Sequence, residues 1–150
     1  MNLRKLIEDY LKEAKLMQVA TSKNNQPWVA SVYFAYDNLW NLYWISRPAR
    51  RHSEEIKDNE KVAGTIVLPH THGEKARGLQ FQGIAKQLKG EEAKRGMECY
   101  SKCYPDVPAE KIRAIAEGKE SHVFYCISPT LFVLFDEINF PDNPRQEFKL

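Results

Sequence analysis

Residues 28–52, WVASVYFAYDNLWNLYWISRPARRH, decide how this chain folds. Two runs rich in β-branched and aromatic residues, WVASVYFAY (28–36) and LWNLYWI (39–45), flank Asp37-Asn38, and the spacing predicts a hairpin. Arg47-Pro48 then breaks the second strand, since proline has no ladder donor. The charged stretch that follows predicts a short helix over 51–59, and VAGTIVL (62–68) predicts the next strand. The Ser46 hydroxyl and the Arg51 guanidinium therefore fall where a strand gives way to a helix. Helix N-termini favour anions and guanidinium pairs bidentately with phosphate, so this junction suits a phosphorylated ligand. The aromatic strands on either side supply flat apolar wall, which suits a flavin.

Working outward, Leu3, Leu6, Ile7, Tyr10, Leu11 and Ala14 recur at helical spacing behind Asn2, a good cap, and predict an amphipathic helix. Leu16 to Ser22 reads as a strand, and Asn24 to Pro27 as the turn into the next. Pro69 to Ala76 is a polar loop. Gly78 to Leu88 is a long strand whose interior Gly83 predicts a bend or the close approach of another backbone. Glu91–Tyr104 and Ala109–Glu117 read as peripheral helices separated by Pro105 and Pro108. His122–Ser128 and Leu131–Phe140 read as two closing strands with a corner at Pro129, and the polar tail from Pro141 as extended. Hairpins dominate and long helical crossovers are few. The fold class expected is mainly β, a six-stranded antiparallel split barrel with peripheral helices, in one domain over residues 1–150.

Composition narrows the function classes. At 150 residues and 43% hydrophobic, the chain supports one real core and is not a disordered segment. A net charge of +2, with both signs interspersed, offers no block that recruits nucleic acid. No apolar run approaches a membrane span. The opening MNLRKLIEDYLKEAK carries acids and lacks the apolar core of a signal peptide, and three cysteines cannot all pair within one chain. Both features predict reduced thiols and a cytoplasmic location.

Four stretches in this order resemble the pyridoxamine 5'-phosphate oxidase-like superfamily of FMN-binding split barrels, and within it the uncharacterised YhbP-like branch. They are QPWVASVYFAYD, LYWISRPARRHSEEI, DNEKVAGTI and RGLQFQGIAKQLKGEE, and the resemblance runs from Leu16 to about Asn143. It implies a homodimer with FMN in a groove between subunits. Ser46, Arg51 and His52 would meet the phosphate, and the backbone of Ala30, Ser31, Val32 and Tyr33 would face the ring and ribityl chain. Ile45 would follow on the next strand, and Gly78, Leu79 and Gln80 would approach the polar edge of the ring. The oxidases usually carry lysine where this chain has His52, which leaves Arg51 as the charge. They also close with a tryptophan strand and an arginine-histidine pair that grips pyridoxal. The closing TLFVLFDEINFPDN lacks that pair, so the substrate is not expected to be pyridoxamine 5'-phosphate. The expected activity is that of a flavin-dependent oxidoreductase drawing on a nicotinamide or another small molecule. The alternative is a non-catalytic module for flavin, haem or the deazaflavin F420, with His52 or His122 the candidates to meet haem.

Each residue also has a plainer reading. Arg47, Arg50 and Arg51 equally suit a solvated loop paired with Glu54 and Glu55, and Gln80 the outer face of a strand. Trp28, Trp40 and Trp44 are expected in the core or at a dimer contact. His70-x-His72 lacks the third ligand that a metal site needs, and Cys99 and Cys103 lie on one helical face.

Overall fold

A computed structural model describes residues 2–150. Helix α1 (Leu3–Glu13) opens the chain, capped by the Asn2 side chain, which accepts from the Lys5 N–H. Strands β1 (Leu16–Lys23) and β2 (Gln26–Tyr33) meet at Asn24-Asn25. Both turn residues have positive φ, 51° and 61°, as a two-residue hairpin turn of the primed type requires and asparagine tolerates. Next come β3 (Ala35–Tyr36), β4 (Leu42–Ser46), α2 (Arg51–Asp58), β5 (Lys61–Val67) and β6 (Arg77–Gln87). Helices α3 (Glu91–Cys103) and α4 (Ala109–Ala116) lead to β7 (Val123–Asp136) and β8 (Arg145–Lys149).

The eight strands form one curled antiparallel sheet in the order β2-β1-β5-β6-β7-β4-β3, with β8 also on β7. The mainly β, split-barrel class is therefore present, with more strands than the six expected. The run 28–36 is divided at Phe34 into β2 and the two-residue β3. The runs on either side of Pro129 are one strand, because the proline sits at a bulge: Gln82 pairs with Leu131 and Gly83 with Pro129, leaving Thr130 unpaired. A bulge tolerates a residue without a ladder donor. The polar tail is a strand, held by Phe148 edge-on against Trp40 at 5.2 Å between centroids.

The inner face of the curl holds the core. Met17, Val19, Ile66, Leu79, Phe81, Phe132 and Leu134 point into it, and α1 closes it with Ile7, Tyr10 and Leu11. Tyr10 donates to the fully buried Asp136 carboxylate at the end of β7, which also accepts from the Asn139 side chain and the backbone N–H groups of Ile138 and Asn139. Burial opposes ionisation of Asp136, yet these donors outweigh it and hold the carboxyl below its ordinary value. A second cluster on the opposite face, built on Tyr43, Phe124 and Cys126, is covered by Ile112 and Ile115 of α4 and by α3. Among the described residues no helix is long and apolar enough to cross a membrane.

Gly83 is required at the bulge. A Cβ there would lie 2.5 Å from the Ser128 carbonyl oxygen and 2.9 Å from the Pro129 Cα, both backbone atoms that cannot step aside. Gly83→Ala is expected to cost about 2 kcal/mol through this overpacking, read as a lower urea midpoint with unchanged denaturant slope.

Candidate functional site

Helix α2 begins without a side-chain cap, directly after the loop of Arg47 to Arg50. Arg47 and Arg50 are exposed, and among the described residues neither is in an ion pair. Arg51, the first helical residue, is held from two sides. Its guanidinium carbon lies 4.1 Å from the centre of the Trp28 ring, and its Nε donates to Glu55 Oε2 at 2.7 Å one turn along the helix. Glu55 is nearly buried and its other oxygen accepts from Thr21 Oγ1 at 3.0 Å, which ties the carboxylate to β1. The hydrogen bond from Arg51 lowers the Glu55 carboxyl from its ordinary value, with Thr21 assisting and desolvation opposing. The guanidinium is thus oriented through Nε, and among the described residues no hydrogen bond or ion pair engages its terminal nitrogens.

Ser46 and His52 meet beneath this loop. Ser46 Oγ and His52 Nε2 are 2.8 Å apart and both residues are at least nine-tenths buried. Burial, reinforced by the Arg50 charge, pushes the His52 pKa below its usual value, so the ring is neutral at pH 7. His52 therefore acts as the hydrogen-bond partner of Ser46 rather than as a surface cation.

Strand β2 ends the sheet, so among the described residues the backbone groups on its outer side have no partner strand. Alternation divides its residues. Trp28, Ala30 and Val32 oppose the inward Thr21, Val19 and Met17, whereas Ser31 and Tyr33 point outward and are exposed. Ser31, Gln18, Thr65 and Gln80 are consecutive partners across β2, β1, β5 and β6. They form a polar row, with Thr65 donating to Gln18 at 3.1 Å and Gln18 to Ser31 at 3.5 Å. Exposed Leu16, Val29, Tyr33 and Val67 flank the row, and none of the helices covers it. A cleft of 510 Å³ opens beside it, lined by Ala20, Ser22, Ala63, Gln82 and Ile84 among others.

The residues expected at the site thus fall into three groups. Arg51, Ser46 and His52 come together at the start of α2. Ser31, Tyr33 and Gln80 share the open outer face. Ala30 and Val32 lie on the inner side of the edge strand, half-buried Ile45 borders the second cluster, and Leu79 is in the core. Gly78 is buried under the Phe135 ring, where a Cβ would lie 2.4 Å from Phe135 Cζ. Sequence reasoning paired the loop arginines with Glu54 and Glu55, and the Arg51–Glu55 pair is present, but it did not single out Trp28 or Thr21 as supports of this pair. The i, i+4 spacing of Arg51 and Glu55 is the readable signal for that pair. The Trp28 stack depends on how β2 lies against α2, which spacing does not reveal.

The family model for pyridoxamine 5'-phosphate oxidase matches residues 3–131. The chain belongs to this family. A UPF0306 protein of Pasteurella multocida is 30% identical over 103 residues, which cover 68% of this chain and 69% of that protein. Among solved structures, General Stress Protein 26 of Bacillus anthracis superposes with a TM-score of 0.69 at 13% identity, covering 100% of both chains. HutZ, the heme storage protein of Vibrio cholerae, superposes with a TM-score of 0.67 at 16% identity, over 86% of this chain and 91% of that one. These structural likenesses are of fold.

The buried neutral His52 sets a pH dependence. A pKa lowered on folding means that the unfolded chain takes up the proton first. Stability is then full above the unfolded value of about 6.5 and falls as pH drops through the folded value. The urea midpoint is expected to decline as pH falls below about 6.5, and His52→Gln to flatten that limb.

Proposed function

We propose that the chain is an FMN-binding protein that works as a homodimer, with the flavin phosphate at the start of α2 and the ring along the free edge of β2. The observation that carries this reading is Arg51, stacked on Trp28, fixed through Nε by Glu55, and left with its terminal nitrogens free beside an uncapped helix start. That is the donor set a dianionic phosphate asks for: an oriented fork, further cations at Arg47 and Arg50, and unspent N–H groups. Ser46 and His52 would support the loop from beneath. The polar row on the open outer face is the surface on which a second copy of the chain would pack. The ring then lies between the two copies, in a groove that one chain alone does not enclose.

The activity proposed is flavin-dependent oxidoreduction, in which bound FMN would supply hydride chemistry. The residues near α2 bind and orient. No acid or base beside them is set up for proton transfer, since His52 is buried on Ser46 and Glu55 is committed to Arg51 and Thr21. The lack of the pyridoxal-gripping arginine-histidine pair leaves room for a different substrate. A haem-binding module is the second reading, favoured by the likeness to HutZ. His52 speaks against it, because its Nε2 is occupied by Ser46.

The visible spectrum of the purified protein and an FMN fluorescence titration test the proposal. Saturable binding is expected, weakened about tenfold or more in Arg51→Ala, as loss of a charged hydrogen bond would give. Arg51→Lys should recover little, since lysine has neither the fork nor the stack. A protein that ignores FMN but takes up haemin or F420 would replace the flavin reading. Oxidation of NAD(P)H by the FMN-loaded protein separates an oxidoreductase from a binding module.

A further inference from the structure

A second cleft, of 640 Å³, lies between the end of α1, the β3–β4 turn and α3, and shares no residue with the flavin site proposed above. Two thiols line it, Cys99 and Cys103, one turn apart on α3 and both half-buried. Lys12, Lys15 and Lys102 stand around its mouth, all exposed, and among the described residues none of the three is in an ion pair. Two acids share the lining. Glu98 is exposed. Asp37 is consumed by the turn: its oxygens accept from the Leu39 and Asn41 N–H groups at 2.9 and 3.0 Å, from Asn41 Nδ2 at 2.9 Å and from the Tyr43 hydroxyl at 3.0 Å. The Lys15 ammonium lies 5.7 Å from the centre of the Tyr104 ring, and no carboxylate among the described residues is paired with any of the three, so their charge is available to a ligand, and the thiols line the space that ligand would fill.

We propose that this cleft is a thiol-exchange site for a small disulfide that carries carboxylates, with Cys103 as the attacking thiol and Lys12, Lys15 and Lys102 as the docking cations. Cys103 loses its proton, and its sulfur attacks one sulfur of the small disulfide. A new S–S bond forms to Cys103, the old one breaks, and the other half leaves as a thiolate that takes up a proton. The disulfide is the oxidant, so electrons balance without another reagent. The lysines have two tasks. They hold the carboxylates, and they draw the anionic disulfide to the mouth of the cleft. Burial pushes the neighbouring Cys99 thiol up to about 11. Cys126 is buried in β7 and pushed up to about 12 by the same cause, so it serves as an internal control.

Oxidised glutathione is the probe, and the neutral 2-hydroxyethyl disulfide the comparison, each added to the full chain and followed by intact and peptide mass. One glutathionyl group is expected, on Cys103, absent in Cys103→Ser and retained in Cys99→Ser. Replacing Lys12, Lys15 and Lys102 together by Gln should slow the glutathione reaction about tenfold, the sum for three exposed ion pairs. The neutral disulfide should keep its rate, and added salt should erase the difference. The lysines are exposed, so the fold survives their replacement, checked by circular dichroism. An adduct on Cys99 or Cys126, no adduct, or an equal slowing of both disulfides overturns the proposal. The result is independent of whether FMN binds.

Discussion

Strand β7 serves three neighbours with fourteen residues, and the architecture follows from how it does so. It pairs with β6 along its length, with β4 over residues 123–127 and with β8 over residues 131–135. A flat strand of that length would hold one partner on each side. Here the second edge changes partner part-way, and the change falls at the bulge where Gly83 approaches the backbone of Ser128 and Pro129. The bulge adds twist and turns the second half of β7 away from the first. The first half therefore lies between the two clusters, with Phe124 and Cys126 toward α3 and α4 and Tyr125 and Ile127 in the main core, while the second half adds Phe132 and Leu134 to the main core.

That division decides which sheet surface stays open. Helices α3 and α4 cover the outer face around β3, β4 and the first half of β7. The outer face of β2, β1, β5 and β6 has no helix on it and presents a polar row between apolar ones. A monomer seldom leaves such a surface uncovered without a use. Within the polar row Gln18 bonds both Ser31 and Thr65 and leaves Gln80 exposed beside them. A surface whose polar groups are mostly satisfied costs little to bury, and its flanking Leu16, Val29, Tyr33 and Val67 provide the apolar area that favours burial.

Much of this was legible in the sequence because it rests on local rules. The strand order along the chain, the first helix with its Asn2 cap, and the close backbone contact at Gly83 all follow from spacing and from what glycine alone permits. Pro129 was misread as a corner because a proline inside a strand usually ends it, and only the partner strand reveals a bulge. The break at Phe34 was invisible for a similar reason. Phe34 is as strand-prone as its neighbours, and its N–H is taken by the Lys15 carbonyl rather than by a continuous ladder. The tail strand β8 carries one buried-face aromatic, Phe148, in a polar run, too little alternation to declare a strand before Trp40 is known to wait for it. At the candidate site the basic loop and helix start could be read, but the burial of His52 and Ser46 could not.

The Arg51–Glu55 contact has two opposing consequences, and their balance bears on what the loop can bind. A carboxylate one turn away cancels part of the guanidinium charge, which weakens long-range attraction for an anion. It also removes the freedom of a long side chain, which otherwise costs about 2 kcal/mol to order on binding. Glu55 engages only Nε and is itself pinned by Thr21, so the fork of terminal nitrogens stays available and already points where the Trp28 stack directs it. Exposed Arg47 and Arg50 restore the lost charge without needing a fixed geometry. An arrangement in which one cation is oriented and exposed neighbours add charge favours a compact multivalent anion over a single carboxylate. Only the former can meet the fork and the flanking charges at the same time.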